Sequence, residues 1–390
     1  MYQKSFHHRR FGNRNSRGSS RHLPKPIHPS LFVNKASLEQ PQAQYTAKHM
    51  FSNFPIAEAL KRNIAQKGYL RPTPIQDQVI PLILEGKDVI GIANTGTGKT
   101  GAFLIPLINK VHNNSTQKVL IIAPTRELAL QIEEECNALS KSMNIFTVAT
   151  IGGASIYAQT SALRRSPHFV VGTPGRLKDL LENRKLNLYV FNNIVLDEVD
   201  RMMDMGFIND IKFLLAKLPT NRQSLFFSAT IPAQVAPLMQ TFLKNPLTIS
   251  VKTQETAEAV EQNVIKLNGR NKIDVLHDLL AQDDLKKVLV FGRTKWGMEK
   301  LAKILLQRGF RVAAIHGNKS QGQRQRALEQ FKNSQLQVLV ATDVASRGLD
   351  IDNVTHVINY DQPASYEDYI HRIGRTGRAD KRGIALTFID

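Results

Sequence analysis

The sequence predicts an α/β protein of two halves, each a parallel sheet flanked by helices, behind a basic N-terminal tail. Three observations predict it. Short apolar runs alternate with helical stretches through most of the 390 residues, the grammar of parallel sheets covered on both faces. The stretch Ala93-Asn94-Thr95-Gly96-Thr97-Gly98-Lys99-Thr100 lies between an apolar run and a helical stretch, the setting a phosphate-binding loop requires. Asp197-Glu198 ends a second apolar run, Ile194-Val195-Leu196, and open parallel sheets bind ligands at the carboxyl ends of their strands.

Residues 1–45 are rich in Arg, Ser, Asn, Gly, Pro and His without a period, and are expected to be disordered. They hold eight Lys/Arg against the single acid Glu39, which places +7 of the chain's +19 there. Tyr2, Phe6 and Phe11 stand among the arginines, suited to stacking on bases. The tail is read as a nonspecific nucleic-acid anchor in preference to an inert solubilising segment. Its Gly, Pro and Asn content opposes the amphipathic helix of an organellar transit peptide.

A first domain is expected over 46–250. Pro55 suits the first turn of its opening helix, Ile56, Leu60 and Ile64 repeat every fourth residue, and Gly68 can end it. Strands are expected at 89–93, 119–123, 146–151, 169–171, 194–196 and 225–227. A polar linker follows over 251–257. The second domain, 258–390, repeats the pattern with strands at 288–291, 312–315, 338–341, 357–359 and 384–388. Its helix 296–307 carries Leu301, Ile304 and Leu305 on one face, and Trp296 is read as packing.

A sequence pI near 10.0 calls for a polyanionic partner, RNA or DNA before a membrane, since no basic amphipathic helix stands out. No run approaches the roughly 18 apolar residues of a membrane span, and no signal peptide opens the chain. Cys136 is the one cysteine, so no internal disulfide forms. It lies in an apolar helical stretch and is read as packing filler, not a nucleophile.

In the phosphate loop, glycines let backbone N–H groups close around phosphate oxygens, Lys99 reaches the terminal phosphates and the Thr100 hydroxyl faces Mg²⁺. Asp197 can hold Mg²⁺ through its water shell, and Glu198 can orient or deprotonate water. The run His371-Arg372-Ile373-Gly374-Arg375-Thr376-Gly377-Arg378 sets arginines every third or fourth residue, and arginine presents a fixed fork for phosphate oxygens.

With these motifs the chain resembles a DEAD-box ATP-dependent RNA helicase of superfamily 2, from about Phe51 to the C-terminus. The motifs stand in family order: Gly68 to Gln76, Ala93 to Thr100, Pro124 to Ala129, Gly152-Gly153, Thr173 to Arg176, Asp197 to Asp200, Ser228-Ala229-Thr230, Val290-Phe291, Gln321 to Arg324, Ala341 to Asp343 through Arg347 to Asp350, and the arginine run. The texture from Asp200 to Phe207 is similar to the bacterial RhlE-like branch. Two residues depart from the pattern. Val199 stands where the family has alanine, and local repacking is expected. Asn94 stands for the usual glutamine and leaves the loop's backbone and Lys99 untouched.

The resemblance implies two tandem RecA-like domains sharing one ATP with Mg²⁺ in the cleft between them. It assigns Phe51 to stacking on the base and Gln76 to reading adenine, with Arg71, Asn94, Thr95, Gly96, Thr97, Gly98, Lys99 and Thr100 around the nucleotide and Asp350 on the ribose. Arg375 and Arg378 become arginine fingers, Ser228 and Thr230 link the cleft walls to the acids, and His371 joins that network. RNA contacts fall at Thr125, Arg126, Gly153, Thr173, Arg176, Arg324 and Thr342, residues suited to phosphate and 2′-OH contacts, not base readout. A cytoplasmic monomer is expected, and also a closing helix beyond the present C-terminus. An ATP-driven RNA-unwinding enzyme is favoured over an ATP-gated RNA clamp, because Glu198, Arg375 and Arg378 are intact. The Gln76 segment favours it over a DNA translocase.

Overall fold

The computed structural model describes residues 28–34, 45–94, 96–231, 235–251, 260–346, 351, 354–377 and 383–390. Two parallel sheets organise them. The first holds β1 (Val89–Ala93), β2 (Val119–Ile122), β3 (Thr147–Thr150), β4 (Phe169–Gly172), β5 (Asn193–Asp197), β6 (Gln223–Ser228) and β7 (Leu247–Val251), in the order β3-β4-β2-β5-β6-β1-β7. The second holds β8 (Val260–Lys266), β9 (Val288–Phe291), β10 (Val312–Ile315), β11 (Val338–Ala341), β12 (His356–Asn359) and β13 (Gly383–Ile389), in the order β10-β11-β9-β12-β13-β8.

Both faces of each sheet are covered, which is why the strands read as continuous apolar runs. Along β6, Leu225 and Phe227 enter the cluster that holds Phe103 and Ile105, while Phe226 enters the opposite one with Leu196 and Met202. Phe227 lies so close to β1 that a Cβ on Gly91 would meet its ring at 2.6 Å, so glycine is required there. Truncating such a ring costs about 3–5 kcal/mol. Register then aligns the site: Ile92 of β1 pairs with Ser228 of β6, and Phe227 pairs with Asp197 of β5. Three neighbouring strand ends therefore open on one edge.

The opening helix runs Glu58–Gln66, and Gly68 beyond it takes a left-handed φ of 78°. Two edge strands, β7 and β8, were not expected from the sequence. Trp296 corrects another reading. It begins the helix Lys295–Gln307 77% exposed, while Met298, Leu301 and Leu305 make the buried stripe. Cys136 is buried as packing, and burial pushes its thiol up to about 12.

The expectation of disorder through residue 45 fails at 28–34. Pro29–Phe32 forms a 3-10 turn, Phe32 is wholly buried, and Asn34 pairs antiparallel with Gln262 of β8. A single aromatic with a socket orders this segment, which composition alone does not reveal.

Candidate nucleotide and nucleic-acid site

Between β1 and the helix Lys99–Asn113, Gly96 and Gly98 adopt φ of 84° and 88°. Only glycine takes these left-handed values without strain, and they curl the backbone into a cradle. Thr97 Oγ1 donates to Asn94 O at 2.8 Å. Lys99 Nζ turns onto the loop itself, donating to Ala93 O at 2.7 Å and Asn94 O at 3.0 Å. Burial pushes the Lys99 ammonium pKa down, opposed by the charges of Asp197, Glu198 and Asp200. Thr100 is half-buried in the first helical turn.

Gln76 buttresses this cradle. Its Nε2 donates to Gly98 O at 3.1 Å while its Oε1 accepts from Thr73 N at 3.0 Å. Phe51 lies in the apolar core, its ring 6.2 Å from Tyr69 and 6.1 Å from Phe54. Arg71 is exposed. A residue that pattern reading missed, Asp77, fixes the approach to this corner. It accepts from Tyr45 Oη at 2.6 Å, Lys48 N at 2.7 Å and His49 N at 3.1 Å. Burial alone would raise its carboxyl, but these bonds hold it below the usual range.

At the end of β5, Asp197 accepts the Glu198 N–H at 3.0 Å. Burial, and then the Glu198 charge, push the Asp197 carboxyl up to about 7 against the pull of Lys99. Glu198 sits in the left-handed region, φ 52° and ψ 53°, and its carboxylate lies 3.2 Å from Arg201 with both side chains buried. Asp200 gathers the end of β6: its Oδ2 accepts from Ala229 N and Thr230 N, both at 3.0 Å, and from Thr230 Oγ1 at 3.3 Å. Ser228 Oγ accepts from Asp200 N at 3.2 Å. These contacts of Ser228 and Thr230 tie them to the acids within the first sheet. Val199 is fully buried in the adjacent core cluster, its extra methyls absorbed by packing.

From the second sheet comes the helix Tyr366–Ile373, which carries His371 and Arg372 and leads into Arg375. Arg372 is structural: it grips Asp343 with Nε at 2.5 Å and Nη2 at 2.8 Å, and reaches Asn359 Oδ1 and Asp361 O with Nη1. Arg375 is 3% exposed, its Nε donating to His371 O at 3.3 Å. Thr95, Asp350 and Arg378 lie outside the described residues.

The residues expected on RNA gather on connected loops. Thr125 caps the helix Arg126–Leu139 by accepting from Leu128 N at 3.2 Å. The Arg126 guanidinium packs on Gly152 and on Gly153, where φ is 76° and a Cβ would fall 2.2 Å from Nη1. Thr173 precedes the helix Pro174–Glu182, whose Arg176 donates to Gln159 Oε1 at 2.9 Å. On the second sheet's side, Thr342 is buried just after β11. Arg324 makes a contact that sequence reading did not foresee. It pairs with Glu127, the residue after Arg126, at 2.8 Å, and Gln321 Nε2 donates to the same carboxylate at 3.4 Å. The two halves meet there.

A phosphate loop at the edge of one parallel sheet, joined through Glu127 and Arg324 to a domain built on a second, defines a two-domain P-loop nucleotide-binding protein. Residues 73–238 match the DEAD/DEAH box helicase model, and residues 271–380 match the helicase conserved C-terminal domain. Curated relatives include the ATP-dependent RNA helicase CshA of Listeria monocytogenes, 46% identical over 341 residues, 87% of this chain and 66% of that one. CshA of Bacillus subtilis is 45% identical over 341 residues, 87% of this chain and 69% of that one. The chain thus spans about two thirds of the length of these relatives, which carry the CshA name, not that of the RhlE-like branch. Among solved structures, Mss116 bound to ssRNA and UDP-BeF is 30% identical, covering 90% of this chain and 76% of its own, with a TM-score of 0.79. S. cerevisiae Dbp5 bound to RNA and ADP BeF3 is 29% identical, covering 87% and 89%, at 0.77. A DEAD box protein from Methanococcus jannaschii is 38% identical, covering 87% and 93%, at 0.51. The chain belongs to the DEAD-box family of ATP-dependent RNA helicases.

Proposed function

We propose that this chain hydrolyses ATP between its two sheets and uses closure of that cleft to bind, bend and locally separate short RNA duplexes without reading their sequence. The Glu127–Arg324 pair carries the reading, because it joins the first turn of the helix Arg126–Leu139, beside the residues expected on RNA, to a helix of the other domain. The comparison of neighbours supports it. The Methanococcus protein has the higher identity and the lower TM-score, the result expected when domains match but their mutual placement differs. The placement here is nearer that of the neighbours that carry RNA and a nucleotide analogue. We take 46–250 and 258–390 as the RecA-like domains and 251–257 as their linker, and expect the protein to act as a cytoplasmic monomer. Among the described residues no helix is long and apolar enough to cross a membrane.

In this reading Lys99 leaves the loop carbonyls for the terminal phosphates, and loop N–H groups from Asn94 to Thr100 hold the remaining oxygens. Gln76 reads adenine while buttressing Gly98, Phe51 and Arg71 border the base, and Asp350 holds the ribose. Thr100 and Asp197 fit Mg²⁺: a buried carboxyl pushed to about 7 is short of positive charge, and one carboxylate with water and phosphates is an ordinary magnesium shell. When bound, Mg²⁺ neutralises phosphate charge. Glu198 orients the attacking water, and Arg375 and Arg378 stabilise charge on the transferred group. Ser228, Thr230 and His371 relay the state of the acids to the cleft walls. Thr125, Arg126, Gly153, Thr173, Arg176, Arg324 and Thr342 contact the RNA backbone.

ATP turnover with RNA, with DNA and with neither tests this, alongside strand separation of a short RNA duplex. RNA alone should stimulate turnover, separation should need ATP, and Lys99→Ala should abolish both. Equal stimulation by DNA would favour a translocase. RNA capture without separation would favour a clamp.

A further inference from the structure

Residues 28–34 precede the first domain in sequence yet dock on the second. Asn34 adds one residue to the open edge of β8, donating its N–H to Gln262 O at 3.0 Å and accepting from Gln262 N at 2.8 Å. This is strand addition at an exposed edge. Phe32 is driven into a small core of its own, with Val260 and Ala385 from the sheet and Tyr369 and Ile373 from the helix Tyr366–Ile373. Its ring lies 4.8 Å from that of Tyr369, whose hydroxyl donates to Gln262 Oε1 at 2.9 Å. His28 caps the turn, its Nδ1 meeting Ser30 Oγ at 2.8 Å. Leu31 and Val33 point to solvent, so one side chain makes the anchor.

The helix that Phe32 packs under is the one that delivers Arg375. Arg375 follows its last turn by two residues, and both its N–H and its Nε bond back to that helix, to Arg372 O and His371 O. Tyr369 and Ile373 therefore set the height and tilt from which Arg375 emerges, and Phe32 is the wedge beneath them. We propose that residues 28–34 are a strap in cis that positions the helix Tyr366–Ile373, and through it Arg375, for ATP turnover. Phe32 is then a positioning residue for the reaction, acting through Tyr369. This rests on reading Arg375 as a group that reaches the nucleotide.

The test uses the full chain and its Phe32→Ala, Asn34→Pro, Phe32→Leu, Val33→Ala and Arg375→Ala variants, with hydrogen exchange and steady-state ATP hydrolysis at saturating RNA. Phe32→Ala and Asn34→Pro should lower exchange protection over 260–266 and 366–373 by about tenfold or more. In both, kcat should fall about fivefold with KM for ATP held within about twofold, the split expected when only the transition state loses a contact. Phe32→Leu should keep most of the wild-type kcat, and Val33→Ala all of it. Wild-type protection in both Phe32→Ala and Asn34→Pro would show that the strap is not docked and would overturn the proposal. Lost protection with wild-type kcat would overturn it as well, while leaving the site reading intact if Arg375→Ala still fails. Full turnover in Arg375→Ala would instead remove the premise on which the strap rests.

Discussion

Glu127 and Arg324 form an ion pair at 2.8 Å that bridges the two sheets' domains, with only 2% and 9% of their side chains exposed. Burial pulls the Arg324 guanidinium pKa down, and the Glu127 charge only partly opposes it. Burying either charge alone carries a desolvation penalty that its partner offsets, so the pair forms only when the domains meet. Glu127→Ala and Arg324→Ala should each lower RNA-stimulated ATP turnover, and the double variant should be little worse than either. A double-mutant cycle should give a coupling of at least about 1 kcal/mol. Strictly additive losses would mean that Arg324 acts on RNA without Glu127.

Gln76→Ala should raise the KM for ATP and, if the proposed adenine contact is made, weaken preference for ATP over GTP, since the amide braces Gly98. Losing its bonds to Gly98 O and Thr73 N should also destabilise the apo protein by about 1 kcal/mol. Thermal denaturation and nucleotide competition check the two effects. Unchanged stability with lost selectivity would make Gln76 a reader alone.

The raised Asp197 carboxyl has a consequence for stability. Its folded value, about 7, lies above the ordinary 3.8. The stability that goes with its proton is therefore complete only below about 3.8, falls progressively as pH rises, and is fully lost once pH has passed about 7. Asp197→Asn should thus melt at higher temperature than wild type at pH 8 without nucleotide, and the gap should shrink as pH falls and close only below the ordinary 3.8. Equal Tm values at pH 8 would contradict this burial argument.

Cys136 should resist alkylation. With its thiol pushed up to about 12, almost no thiolate exists at pH 8. Labelling of the native protein should proceed only as fast as unfolding, and prompt labelling would contradict the packing assignment.

Much of the fold was legible because buried parallel strands write themselves as Val/Ile/Leu runs, as in β2 and β11. The edge strands β7 and β8 escaped notice for the opposite reason: Thr248 and Ser250 interrupt the apolar residues of β7, the run Glu261-Gln262-Asn263 in β8 is wholly polar, and both look like linker. The helix Lys295–Gln307 shows a subtler limit, since Trp296 lies two residues out of phase with Met298 and falls opposite the buried stripe. The loop, acids and arginine run were legible because phosphate chemistry needs local spacing. Glu127–Arg324 was not, because partners nearly two hundred residues apart leave no local pattern. The Phe32 anchor was hidden in a composition that otherwise reads as tail.

Deleting residues 1–27 should weaken RNA binding and flatten its salt dependence. Seven of the tail's basic residues precede residue 28. If half of them touch phosphates, the slope of log affinity against log salt should fall by roughly 2 to 3 units at about 0.7 per contact. Binding measured across a salt series checks it, and an unchanged slope would mean that the tail is no anchor.

The central claim, that an arginine of the second domain completes an ATP site built on the first, is tested most directly by the ATP turnover of Arg375→Ala across an RNA titration. ATP binding should be largely kept, because Gln76 and Lys99 remain, while turnover should fall by about 10³-fold at every RNA concentration. Arg375→Lys should rescue poorly, since a point charge lacks the guanidinium fork. Recovery of the full rate at saturating RNA would contradict the account, returning Arg375 to an RNA-binding face and leaving the site without its second half.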